Sequence, residues 1–125
     1  MAHEEHLNRL KQGAWTWNQW RAEHPEIKPD VTDVDFSGAD LSLADLSEAD
    51  LSFADLSQTR ITKTSLVGAN LEQACFIGAM LKETDLRGIP WEQVMALALQ
   101  PGIVWEDVQY DQPSDAELFP QKPGD

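Results

Sequence analysis

Large apolar residues recur every five positions through the middle of the chain. From 31 to 90 they are Val31, Phe36, Leu41, Leu46, Leu51, Leu56, Ile61, Leu66, Leu71, Phe76, Leu81 and Leu86. Two places before each, from Phe36 onward, stands an alanine or threonine, with Val34 the larger exception. A strand repeats every two residues and a helix every 3.6. A step of five throws successive side chains onto alternate faces of a strand and turns them by about 140° on a helix, so neither gathers one buried face. Serine in the second place of five consecutive pentads (Ser37, Ser42, Ser47, Ser52, Ser57) favours turns. The simplest structure is a coil that turns a corner about once per pentad, with one large and one small side chain pointing inward.

The runs Ala39-Asp40-Leu41-Ser42, Ala44-Asp45-Leu46-Ser47, Ala49-Asp50-Leu51-Ser52 and Ala54-Asp55-Leu56-Ser57 resemble the pentapeptide-repeat family. The resemblance covers 31–90, about half the chain. It implies an all-β solenoid: a right-handed quadrilateral β-helix with four pentads per coil, hence about three coils. At the spacing of roughly 4.8 Å between neighbouring strands, the stack would be about 14 Å tall. Residues twenty apart become vertical neighbours, so that Phe36, Leu56 and Phe76 lie one above another. The structural core is then Phe36, Leu41, Leu46, Leu51, Leu56, Ile61, Leu66, Leu71, Phe76, Leu81 and Leu86. So short a stack needs its open ends covered.

The flanks supply candidates. Residues 1–30 read as an N-terminal capping helix and linker. Leu7, Leu10, Ala14, Trp17 and Arg21 follow helical spacing over 3–24, with Gly13 a weak point and Pro25 a stop. The run Trp15–Arg21 resembles the helical lead-in of some bacterial and cyanobacterial family members. Residues 91–110 read as a C-terminal capping helix and a following segment. Pro90 suits the first helical position and Pro101-Gly102 stops the helix. Trp91, Val94, Met95 and Ala98 share one face, while Leu97 and Leu99 leave it, so the helix is apolar most of the way round and is either buried or shared. It would pack against Val104, Trp105, Val108 and Tyr110, or make a homodimer contact through that helical end. Residues 111–125 read as a disordered acidic tail.

Charge narrows the function. The chain has 22 acidic and 9 basic residues, a net charge of −13. Such a surface repels phosphate backbones, which argues against direct nucleic-acid or anionic-membrane binding and favours a basic partner. No run approaches the roughly 18 apolar residues of a membrane span. The N-terminus has no apolar core of the kind a signal peptide carries. The single cysteine, Cys75, excludes an internal disulfide. These features predict a cytoplasmic protein.

No constellation of catalytic, metal-ligating or cofactor-binding residues is apparent. His3 and His6 share a helix face near its start but lack a third ligand. Asp40, Asp45, Asp50 and Asp55 fall on four sides of one coil, a ring where a calcium ladder or a DNA-like stripe would need a column. The resemblance implies one alternative, an acidic DNA mimic that binds and modulates a topoisomerase such as DNA gyrase. The reading preferred from the sequence is a non-catalytic interaction or scaffold module for an unidentified protein partner. Its candidate surface is Leu43 and Phe53, apolar where equivalent places carry Gly, Glu, Gln or Lys, together with Trp15, Leu97 and Leu99.

Overall fold

A computed structural model describes residues 3–113. Its elements in chain order are α1 (Glu4–Lys11), α2 (Ala14–Glu23), β1 (Arg60–Thr62), β2 (Met80–Lys82), α3 (Trp91–Ala98) and β3 (Val104–Glu106). The tail expected at 111–125 lies outside the described residues from 114 onward.

Between 30 and 88 the chain is a repeat β-helix. Parallel bridges join residues twenty apart: Asp30 with Asp50, Asp35 with Asp55, Asp45 with Ser65, and Asp50 with Asn70. Asp55 pairs in turn with Cys75, and Ser65 with Asp85. Strands β1 and β2 continue the same register, Ile61 opposite Leu81. Each pentad follows one hydrogen-bond plan. The amide of the large apolar residue donates to the coil above, as Val31 does to the Asp50 carbonyl (3.0 Å) and Leu56 to the Cys75 carbonyl (2.7 Å). The amide before it donates to the coil below, as Asp55 does to Val34 (2.8 Å).

The corner follows from the same five residues. The amide of the fourth place donates back to the carbonyl of the first, as Ala39 does to Phe36 and Ala54 to Leu51. The third place takes a left-handed backbone in all twelve pentads, from Asp33 (φ 57°) to Gly88 (φ 81°). The aspartate of one pentad clips the turn of the next. One carboxylate oxygen of Asp35 accepts from both the amide (3.0 Å) and the hydroxyl (2.7 Å) of Ser37. Asp45, Asp50 and Asp55 do the same with Ser47, Ser52 and Ser57. The acidic ring is therefore a set of turn braces, which explains the paired recurrence of Asp and Ser.

The interior is filled as the period requires. The eleven large residues from Phe36 to Leu86 are all buried, as is Val31. Thr59, Thr64 and Thr84 replace alanine in the small column without leaving a hydroxyl unpaired. Their hydroxyls donate to the carbonyls of Leu56, Leu41 and Ile61.

Both flanks depart from the sequence reading. The single helix expected over 3–24 is two, broken where Gly13 adopts φ 103°, a conformation open to glycine alone at low cost. Beyond α3 the chain makes a partial further turn. Val104 pairs with Met80 and Trp105 with Leu81, twenty-four residues apart. Asp85 pairs with Gln109 at the same offset. α3 thus stands where further pentads would be and adds four residues to that turn.

Candidate interaction surface

The N-terminal end of the stack is closed by polar side chains that imitate a missing coil. The carbonyl of Asp45 has no pentad beneath it. It accepts from the Trp17 indole Nε1 (2.7 Å) and from Arg21 Nη1 (2.7 Å). Arg21 Nη2 donates to the carbonyl of Ser47 (2.8 Å). Asn18 accepts from the Asp45 amide through Oδ1 (2.7 Å) and donates to the Leu43 carbonyl through Nδ2 (2.9 Å). Trp17 and Trp20 are buried with their rings 5.2 Å apart. Burial holds the Arg21 guanidinium below its ordinary pKa, with Asp45 and then Glu48 pulling it back. Its Nε, alone among buried side-chain polar atoms of the described residues, has no partner.

α1 is tied down by His6, one of the two histidines near the start of the helix. His6 is buried, and its Nδ1 accepts the amide hydrogen of Asp30 (2.9 Å). The His3 amide donates to the Asp30 carbonyl (3.0 Å), and the two imidazoles stack at 4.1 Å. Burial, and then neighbouring His3, hold His6 below its ordinary pKa. The two histidines, too few in the sequence for a metal site, serve here as a backbone latch. Among the described residues no group of three or more His, Cys, Asp or Glu could hold a metal ion.

At the other end, α3 and the turn just after it each supply a glutamine. Gln93 Oε1 accepts from the Leu71 amide (2.7 Å), and Gln100 Oε1 accepts from the Phe76 amide (2.5 Å). Leu71 and Phe76 are the residues whose upward hydrogen bonds lack a pentad to receive them. Leu97, expected on the surface, is buried: α3 lies on the last coil by Val94 and Leu97, so Leu97 belongs to the core. Met95 and Leu99 face outward instead, Leu99 at 75% exposure.

What remains exposed and apolar is a short set. Trp15 (73%), Leu43 (62%) and Phe53 (61%) are the most open at the N-terminal half. Leu43 and Phe53 occupy third places, with φ of 70° and 61°. Four other third places carry glycine, and the rest carry Asp, Glu, Gln or Lys. A left-handed backbone costs an L-residue roughly 1–2 kcal/mol, and nothing in the packing of these two exposed side chains offsets it. Trp15 and Asn18 are three apart on α2, and Asn18 binds the carbonyl of Leu43, so Trp15 and Leu43 belong to one edge of the molecule. Phe53 lies in a different column, between Asp33 and Gln73.

Several clefts flank α3. One of about 340 Å3 is lined by Cys75, Ile77, Gln93 and Gln100 among others. Another, of about 210 Å3, is lined by Trp91, Val94, Met95, Ala98, Trp105 and Tyr110. No helix among the described residues is long and apolar enough to cross a membrane.

Comparison with known proteins bears on the repeat. No curated protein sequence matches the chain. Among solved structures, the chain is similar to HetL, a pentapeptide repeat protein involved in heterocyst differentiation regulation from the cyanobacterium Nostoc sp. strain PCC 7120. The two are 26% identical with a TM-score of 0.24, over 63% of this chain and 37% of that one. It is also similar to Rfr23, a pentapeptide repeat protein from the cyanobacterium Cyanothece 51142, at 22% identity and a TM-score of 0.24. That match covers 69% of this chain and 63% of the other. The chain thus spans less than two thirds of the length of either. A family model described as pentapeptide repeats (8 copies) matches residues 30–62 and 49–88. With the five-residue period and the twenty-residue pairing over the same segment, this makes residues 30–88 a repeat segment of the pentapeptide-repeat family.

Proposed function

We propose that this chain is a non-catalytic protein-interaction module of the cytoplasm, built on a right-handed four-sided β-helix between two helical caps. Pairing at every twentieth residue, four pentads, supports the four-sided coil. The division into a cap at 1–30, a repeat at 31–90 and a cap at 91–110 rests on the hydrogen bonds that α2, α3 and Gln100 just past α3 make to backbone groups of the first and last coils.

The observation that carries the interaction reading is the pair Leu43 and Phe53. Each puts a large apolar side chain in water from a backbone conformation that glycine would hold at less cost. Stability alone would favour glycine at both. A protein partner that covers these side chains, with Trp15 beside Leu43, accounts for them. The topoisomerase alternative ranks lower, because the acids of the first coil form a ring and one oxygen of each is bound in a turn brace.

The test is capture of partners from the native cell extract by the full chain and by its Leu43→Gly, Phe53→Gly double variant. The expected result is a partner retained by the first and lost by the second, with the circular dichroism spectrum unchanged. Equal capture by both would remove this surface from consideration.

A further inference from the structure

We propose that the cleft at the C-terminal end of the stack receives the arginine side chain of a basic, extended partner segment. This rests on the interaction-module reading and gives it a second, chemically distinct surface.

The cleft holds three half-buried aromatic rings. Trp91 and Tyr110 have centroids 5.9 Å apart, and Trp105 meets Tyr110 at 5.7 Å in an edge-on arrangement. Val94, Met95 and Ala98 of α3 complete the lining, so no charged side chain competes for the rings. A cation over such faces is attracted by the ring quadrupoles. A guanidinium also stacks flat on them, which an ammonium cannot do. The volume, about 210 Å3, suits one side chain rather than a helix face.

The surrounding charge selects the same partner. From Gly88 to Pro113 there are four acids, Glu92, Glu106, Asp107 and Asp111, and no lysine or arginine. Lys82 pairs with Glu106 (3.4 Å), and Arg87 lies near Asp111, so part of this charge is already met. The remainder is still negative. A second copy of this chain would bring like charge to like, whereas a basic segment is drawn in.

The backbone provides the track. β3 is the last strand in the order β1-β2-β3, so its outer edge has no strand partner among the described residues. Trp105 lies in that strand, opposite Leu81. A segment pairing along β3 would run beside the cleft, with alternate side chains placed to enter it.

The experiment follows the indole N–H signals of Trp91 and Trp105 by NMR in the full chain. The probe is a short neutral-flanked peptide with one central arginine. Its controls are the same peptide with citrulline, which keeps the shape and loses the charge, and tetramethylammonium chloride. The expected result is saturable shifts of both signals by the arginine peptide and binding about tenfold weaker for citrulline. Tyr110→Leu, which keeps apolar bulk and removes a ring face, should weaken the arginine peptide by a similar factor. If that variant fails to fold, the arginine and citrulline pair decides alone. Equal binding of the two peptides, or no shift with either, overturns the inference. Tetramethylammonium binding as tightly as the peptide also overturns it, since the site would then serve a free cation. Failure here with partner capture still dependent on Leu43 and Phe53 would leave the interaction module standing. Failure of both would remove it.

Discussion

The indole of Trp17 and the carbonyl of Asp45 stand to each other as one coil stands to the next. Their 2.7 Å hydrogen bond takes the place of the main-chain bond that Asp50 receives from Val31 and Asp55 from Phe36. A helix caps a solenoid here by presenting donors at the positions where a coil would have them. Apolar cover alone would leave the Asp45 and Ser47 carbonyls without partners at a cost of about 1–3 kcal/mol each. Trp17→Phe keeps an aromatic ring but removes the donor and part of the buried indole, while Arg21 Nη1 still serves the Asp45 carbonyl, so it should lower stability by about 1–3 kcal/mol in urea unfolding from the lost bond and the cavity together. Arg21→Met loses two such bonds but also relieves a cation held out of water with an unpartnered Nε. Its loss should be near that of Trp17→Phe and well short of double. An unchanged urea midpoint for Trp17→Phe would mean that Arg21 Nη1 alone satisfies the Asp45 carbonyl and that the end closes over the lost volume.

Leu43→Gly and Phe53→Gly should each raise stability, by about 1 kcal/mol. Both side chains are mostly in water, so little packing is lost, while the left-handed backbone becomes easy. Gly88→Ala is the reverse case. Its φ is +81°, and a Cβ there would meet the Gly68 backbone nitrogen at 3.1 Å. It should be destabilised by about 1 kcal/mol or more. Thermal unfolding of the three variants checks the signs. A loss of stability in Leu43→Gly would show that this leucine serves the fold.

Stability should fall in two steps as pH is lowered. The folded pKa of His6 lies below its ordinary 6.5 because of burial and His3, against the opposite pull of Glu5 and Asp30. Between the two values the unfolded chain binds the extra proton, so the contribution of His6 is fully present above about pH 6.5 and is lost as pH drops toward the folded value. The protonated ring could no longer accept from the Asp30 amide. Asp35 and Asp40, lowered by the hydrogen bonds of Ser37 and Ser42, and Asp85, lowered by Arg87, give a second loss that begins near 3.8 and continues below it. His6→Asn keeps an acceptor without a titration, so its unfolding curve should be flat across the first step and unchanged across the second. A first step that persists in His6→Asn would belong to another group.

The repeat was legible in the sequence because a large apolar residue at every fifth place fits no other backbone. Phe36, Leu56 and Phe76 could be read as one column before any coordinates. The braces were not legible. Asp and Ser were seen as a charged ring and a turn signal, and only the closed corner puts the Asp35 carboxylate on the Ser37 amide. The turn beyond α3 was hidden for a different reason. Val104, Trp105, Val108 and Tyr110 keep no five-residue step, since the inserted helix moves the pairing offset from twenty to twenty-four. Leu97 and Leu99 stand two positions apart, at the end of α3 and just beyond it. Composition gives no reason to bury the first and expose the second; the contact of α3 with the last coil does.

Gln93 of α3 and Gln100 just beyond it allow the sharpest test of how the C-terminal end is closed. Gln100 accepts from the Phe76 amide through Oε1 and donates to the Ala74 carbonyl through Nε2 (3.1 Å). Gln93 treats the Leu71 amide and the Asn70 side chain in the same way. Gln100→Met preserves length and apolar cover but leaves both backbone groups beneath it unpaired. If α3 closes the stack by hydrogen bonding, the Phe76 amide should exchange its hydrogen about ten- to a hundredfold faster in this variant, equivalent to about 1–3 kcal/mol of local stability. The amides of Val31 and Phe36, bonded to Asp50 and Asp55 at the opposite end, should keep their rates. Faster exchange at both ends would mean global destabilisation, and an unchanged Phe76 rate would mean that α3 covers the last coil by Val94 and Leu97 alone.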